Sequence, residues 1–96
     1  MFNIYVVFRC FPGKREAFTK ALNEKEYMDA IRNEDGCVRY DFYFSEKDPN
    51  ELLLIEGWES KAHQEAHIKT PHMAEVLKMN QEYVESAELI EFKIVE

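Results

Sequence analysis

Apolar and polar positions follow two rhythms along this chain, and together they predict four strands and three helices. Residues 2–11, FNIYVVFRCF, have the period of a strand. Phe2, Ile4, Val6, Phe8 and Cys10 fall on one face, and Asn3, Tyr5, Val7, Arg9 and Phe11 on the other. Both sets are largely apolar, so both faces of this strand should be covered. Pro12-Gly13 ends it. A helix is expected from about Lys14 to Asn33, burying Ala17, Phe18, Ala21, Leu22, Met28 and Ile31, with Asp35-Gly36 as its stop.

Residues 38–45, VRYDFYFS, alternate again. Val38, Tyr40, Phe42 and Phe44 face one way; Arg39, Asp41, Tyr43 and Ser45 face the other. KDPN, residues 47–50, has the make-up of a turn, and ELLLIEGW, residues 51–58, pairs back as the second strand of a hairpin. Ser60 can cap a short helix that Thr70-Pro71 interrupts. Thr-Pro is itself a start signal, so a further helix should run to about Val84, with Met73, Val76, Leu77, Asn80 and Val84 at helical spacing. Residues 87–95, AELIEFKIV, close the chain as a strand with Ile90, Phe92 and Ile94 on one face.

The order β-α-β-β-α-α-β is an α+β, ferredoxin-like plan: one domain over residues 1–96, a four-stranded antiparallel sheet and helices on one side of it. The other sheet face is then left open by its own chain. A second copy is the simplest cover for it, which predicts a homodimer.

Composition narrows the function. The formal charge is −7, from 19 acidic and 12 basic residues, and the longest basic run is Lys14-Arg15. This argues against nucleic acid and against an anionic membrane surface as partners. No apolar run reaches bilayer length, and the N-terminus has no signal-peptide pattern, so a cytoplasmic protein is expected. Cys10 and Cys37 lack metal-site or redox spacing and read as thiols. The glycines Gly13, Gly36 and Gly57 form no phosphate-cradling motif.

The candidate chemistry is concentrated in EGWESKAHQEAHIKTPHM, residues 56–73, which holds Trp58 and all three histidines. His63 and His67 are four apart and share a helix face, the spacing of a two-histidine metal site. The pattern HQEAH lacks the general base of HExxH, and no bound metal is expected. Trp58 ends a strand and His67 lies about two turns along the next helix, so the two should meet at one end of the sheet. Indole and imidazole at the mouth of an apolar cavity suit an aromatic ligand bearing oxygen. In this reading His67 and Trp58 line the pocket, His72 stands at its edge and His63 points to solvent.

The stretch IEGWESKAHQEAHIKTPHM, preceded by PGKREAF and DGCVRYDFY, resembles the antibiotic biosynthesis monooxygenase superfamily, and within it the small bacterial quinol monooxygenases. The resemblance covers nearly the whole chain, and its specific elements are WES, AH and TPHM. It implies dimers whose two sheets form an α+β barrel, with a pocket between sheet and helices. It also implies oxygen insertion into phenols or quinols without flavin, haem or metal. Relatives of this kind include haem-degrading enzymes and an isomerase of a phosphorylated autoinducer. The asparagine, tryptophan and axial histidine of the haem-degrading branch are not matched: Val6, His67 and Leu77 stand at or near those places.

The expected activity is therefore a cofactor-free monooxygenase acting on an electron-rich aromatic and molecular oxygen. His67 is the candidate general base, because imidazole titrates near neutrality, and His72 would polarise a carbonyl or steady an anion. Trp58 and Tyr40 are candidates for binding substrate, Tyr5 and Tyr43 are further possible donors, and Asp41 and Glu56 are alternative bases. An isomerase of a phosphorylated sugar derivative and a non-catalytic dimeric binding module are the other readings; the first needs basic groups such as Arg9, Arg39 or Lys69 at the pocket.

Overall fold

The computed structural model describes residues 1–95. The elements run β1 (Phe2–Cys10), α1 (Arg15–Glu24), α2 (Tyr27–Arg32), β2 (Cys37–Phe44), β3 (Glu51–Trp58), α3 (Lys61–Ile68), α4 (Pro71–Tyr83) and β4 (Val84–Phe92). The sheet is antiparallel with strand order β2-β3-β1-β4, the ferredoxin-like arrangement read from the sequence. Its inner face carries Ile4, Val6, Phe8 and Cys10 of β1 and Leu52 and Leu54 of β3, all buried beneath the helices.

The single helix expected over 14–33 is two. Glu26 takes a left-handed conformation at φ 60° and separates α1 from α2. The reason lies in the phase of the stripe. Phe18 and Leu22 are one turn apart, and a continuous helix would next bring Glu26 to the core face. The break turns the chain so that Met28 and Ile31 are buried instead. A second irregularity lies at the start of β2, where the pairing register with β3 shifts between Cys37 and Arg39. Val38, expected to share a face with Tyr40, is 54% exposed as a result, while Tyr40 is buried.

The β2–β3 turn is held by side chains. Asp48 Oδ1 accepts from the Asn50 amide at 2.9 Å, and the Arg15 guanidinium donates to the carbonyls of Ser45, Asp48 and Glu51 while stacking on Phe44. At the other end of the chain, β4 follows α4 with no linker. The Phe11 amide donates to the Tyr83 carbonyl and Cys10 pairs with Val84, so the strand begins three residues earlier than its apolar rhythm suggested. Ile94, expected to continue the strand, lies beyond its end and is exposed.

The outer sheet face carries Tyr5, Val7, Leu53, Ile55, Ile90 and Phe92, brought side by side by the register. They are only partly covered within the chain.

Candidate functional site

Local sequence sets the two helices that carry the histidines. Ser60 Oγ accepts from the His63 amide and opens α3; Thr70 Oγ1 accepts from the Met73 amide, and Pro71 occupies the first position of α4. His67 lies in the last turn of α3 and His72 in the first turn of α4. The short connection therefore brings both imidazoles to one place, where Glu34, just past α2, meets them. His67 Nδ1 is 2.9 and 3.0 Å from the two Glu34 oxygens, and His72 Nε2 is 2.6 Å from Oε2.

His67 is 1% exposed. Its ring packs on Trp58 with centroids 4.7 Å apart and meets the Tyr40 ring edge-on at 5.6 Å. Burial lowers its pKa from the ordinary 6.5 against the opposing pull of Glu34, so the contact with Glu34 at neutral pH is a hydrogen bond from a neutral ring and not an ion pair. A carboxylate can only accept, so Nδ1 carries the proton and Nε2 keeps its lone pair.

Behind His67 the strand β3 contributes a carboxyl group. Glu56 is 5% exposed, and its Oε1 accepts from the Trp58 indole N–H at 3.0 Å. Burial raises its pKa to about 7; the indole hydrogen bond opposes this and Glu34 adds to it. Tyr40, paired with Glu56 across β2–β3, is 4% exposed. Burial and the nearby Glu56 and Glu34 push its pKa well above 10, so it stays a hydroxyl donor.

These groups border a cavity of about 210 Å3 between the sheet and the helices. Glu56, Tyr40, His67, Gln64 and Asn80 are its polar residues, and the rest of the lining is apolar. Ile68, Leu77 and Leu89 are lining residues about half exposed, and they form an apolar mouth between α3, α4 and β4. A larger, shallower depression of about 540 Å3 near Thr19, Arg32 and Asp41 lies away from the histidines.

The expected site residues thus divide. His67 and Tyr40 line the cavity. Trp58 does not: it is fully buried, fills the space behind His67 and spends its N–H on Glu56. His72 touches the site through Glu34. His63, expected in solvent, is only 30% exposed: Ser60 Oγ lies 2.7 Å from its Nδ1, Asp35 lies 3.4 Å from its Nε2, and its ring rests on Gly36. The metal pairing of His63 with His67 is not what the fold assembles. Instead one ligand atom each from Glu34, His67 and His72 lie within 4.8 Å of one another, a set a transition metal could close on; Asp35, Glu59 and His63 form a second, more exposed set. Tyr43 and Asp41 are bound up with Arg39 on the outer face of β2, and Tyr5 is on the outer face of β1.

Glu34 went unnoticed in the sequence because it is 33 residues from His67 and beside a turn, with no spacing to connect them. Glu56 was legible as an alternative base, but its burial was not. Its signal was a lone acidic residue facing the same way as Leu52 and Leu54 in an apolar strand.

A sheet roofed by helices over a small, largely apolar cavity with a buried imidazole and a neutral-range carboxyl is the build of a small-molecule site. The family model for antibiotic biosynthesis monooxygenase matches residues 1–79, and the chain belongs to that family. It is 33% identical over 86 residues to an uncharacterized protein of Synechocystis, covering 88% of this chain and 57% of that protein's length. It is 29% identical to the probable quinol monooxygenase YgiN of Escherichia coli, covering 83% of this chain and 92% of YgiN. The solved structure of a Nitrosomonas europaea protein superposes with a TM-score of 0.87 at 22% identity, over the whole of both chains. No helix among the described residues is long and apolar enough to cross a membrane.

Proposed function

We propose that the chain is a cofactor-independent monooxygenase for a quinol, phenol or similarly electron-rich aromatic, with His67 as the general base. One observation carries this reading: a buried imidazole lines an apolar cavity with its Nδ1 against Glu34; burial lowers its pKa, which favours the neutral ring with Nε2 as the proton acceptor. Proton removal makes the aromatic a strong electron donor. The resulting anion gives an electron to oxygen, and the two radicals combine to a carbon-bound peroxide that takes the proton back from the imidazolium; cleavage of its O–O bond with loss of water leaves a carbonyl. Glu34 stabilises the imidazolium formed in the first step, in the way a carboxylate supports a catalytic histidine. In this reading the Tyr40 hydroxyl and the protonated form of Glu56, both lining the cavity, donate to the substrate's developing oxyanion.

The likeness to YgiN supports the same substrate class. A phosphate-ester isomerase is disfavoured, because no lysine or arginine lines the cavity among the described residues. We further infer that two copies pair through the apolar outer sheet face, as a specific interface of about 1,200 Å2 or more requires such a surface.

The test is oxygen uptake by purified protein on a panel of quinols, anthrones and catechols, before and after chelator treatment. Uptake on at least one compound, unchanged by the chelator, is expected. A folded protein that consumes no oxygen on any of them, or that loses its uptake with the chelator, defeats the proposal.

A further inference from the structure

Glu34, His67 and His72 reach one another from the turn after α2, the last turn of α3 and the first turn of α4. The backbone holds each in place. The Glu34 amide donates to the Ile31 carbonyl, and the Glu34 carbonyl accepts from the Cys37 amide. Thr70 donates to the His67 carbonyl through both its amide and its hydroxyl. One ligand atom from each of the three residues lies within 4.8 Å of the other two.

Two imidazoles and a carboxylate, with water at the fourth position, are a donor set for Zn2+; Mg2+ and Ca2+ take oxygen ligands instead. Zinc bonds of about 2.0–2.2 Å set tetrahedral ligand atoms about 3.3 Å apart. The contacts of Glu34 Oε2 with His67 at 2.9 Å and His72 at 2.6 Å need open by less than about 1 Å to admit the ion. The side chains of Glu34 and His72 are 11% and 24% exposed, which gives the ion a way in from the surface. Neither residue lines the cavity, so an ion held there leaves the cavity open.

The effect falls on the His67 tautomer. Without metal, Nδ1 carries the proton and donates to Glu34, and Nε2 keeps its lone pair. A metal on Nδ1 takes that nitrogen's lone pair, so the single proton of the neutral ring moves to Nε2. We propose that Glu34, His67 and His72 form an inhibitory Zn2+ site, which silences His67 by moving its proton to Nε2. The metal site stands by itself; its inhibitory effect rests on the reading of His67 as general base.

The experiment uses the chelator-treated full chain, with Co2+ as a spectroscopic probe and Zn2+ as inhibitor. Co2+ should give the visible bands of a tetrahedral site at about one ion per chain, displaced by Zn2+ and not by Mg2+. His72→Gln should weaken Co2+ binding by more than about 10-fold. His63→Ala, which breaks up the exposed set of Asp35, Glu59 and His63, should leave it unchanged. In long-range 15N–1H spectra the His67 proton should sit on Nδ1 without metal and on Nε2 with Zn2+. Saturating Zn2+ should lower the kcat of oxygen uptake by about 10²–10⁴-fold with KM little changed, as when a general base is lost and the cavity stays open. Absence of Co2+ binding in wild type overturns the proposal. So do bands that survive in His72→Gln or vanish in His63→Ala, and a His67 proton that stays on Nδ1 in the Zn2+-loaded wild type. Uptake that Zn2+ leaves unchanged, raises, or alters only through KM overturns it as well. The proton shift to Nε2, together with no oxygen uptake by the metal-free protein, would uphold the metal site and remove the monooxygenase reading alone.

Discussion

His63 and His67 are one turn apart on the same helix, and each meets a carboxylate from the consecutive residues Asp35 and Glu34. In composition the two pairs are nearly the same. In environment they are opposites: the side chains of His63 and Asp35 are 30% and 95% exposed, those of His67 and Glu34 1% and 11%. Water screens the first pair, and pairs of that kind contribute little. The second is sealed beneath Trp58 and Tyr40, where burial holds the imidazole neutral and the hydrogen bond fixes its tautomer. Burial, more than residue type or spacing, distinguishes the two pairs.

The sharpest way to break the comparison is to remove each ring. His67→Ala should lose about 10²–10⁴-fold in oxygen-uptake rate, as the loss of a general base does, whereas His63→Ala should stay within a few-fold of wild type. Equal rates in both folded variants would erase the distinction.

The next largest effect concerns Glu56, through pH. Its folded pKa of about 7 lies above the ordinary 4.5, so the folded state holds this proton more tightly than the unfolded chain. The favourable contribution is complete below 4.5 and is lost as pH rises through about 7, a swing of about 3 kcal/mol. Glu56→Gln keeps an oxygen for the Trp58 indole and removes the charge. It should stabilise the protein by a comparable amount at pH 8 and have little effect at pH 4, as measured by urea unfolding. His67 has the opposite sign: its pKa is depressed, so its contribution is present above 6.5 and declines as pH falls below that value. A Glu56→Gln effect that does not depend on pH would contradict the burial argument.

Gly36 probes the outer pair. It has φ 80°, and a Cβ there would land on the His63 ring. Gly36→Ala should cost about 1–2 kcal/mol from the left-handed backbone, with more from displacing the ring, and should lower the thermal midpoint. His63→Ala in the same chain should recover part of that loss. Recovery would identify His63 as packing for the turn before β2.

The smallest effect belongs to Asp35→Asn. With its side chain almost wholly in water, stability should change by less than about 0.5 kcal/mol. The corresponding Glu34→Gln should slow oxygen uptake, because the amide cannot stabilise the imidazolium on His67. If the two substitutions have equal effects, burial is not what distinguishes the pairs.

Much of the architecture was legible from local rules. Strand period, the Asp48-Pro49 turn, the Ser60 cap and the Thr70-Pro71 start each act within a few residues, so the order of strands and helices along the chain, the hairpin and the α3–α4 break follow from short stretches of sequence. The clustering of Trp58 and His67 at one end of the sheet was legible for the same reason. What tertiary structure decided is everything that depends on distant residues. The phase slip at Glu26, the bulge exposing Val38 and the early start of β4 arise where packing overrides an apolar rhythm. The fold brings Glu34 to His67 across 33 positions, puts Trp58 behind the cavity wall and buries the Glu56 carboxyl. A residue's identity sets its ordinary pKa and hydrogen-bonding capacity. The dielectric and the partners that turn those into a proton acceptor at neutral pH come from chain segments that no local pattern connects.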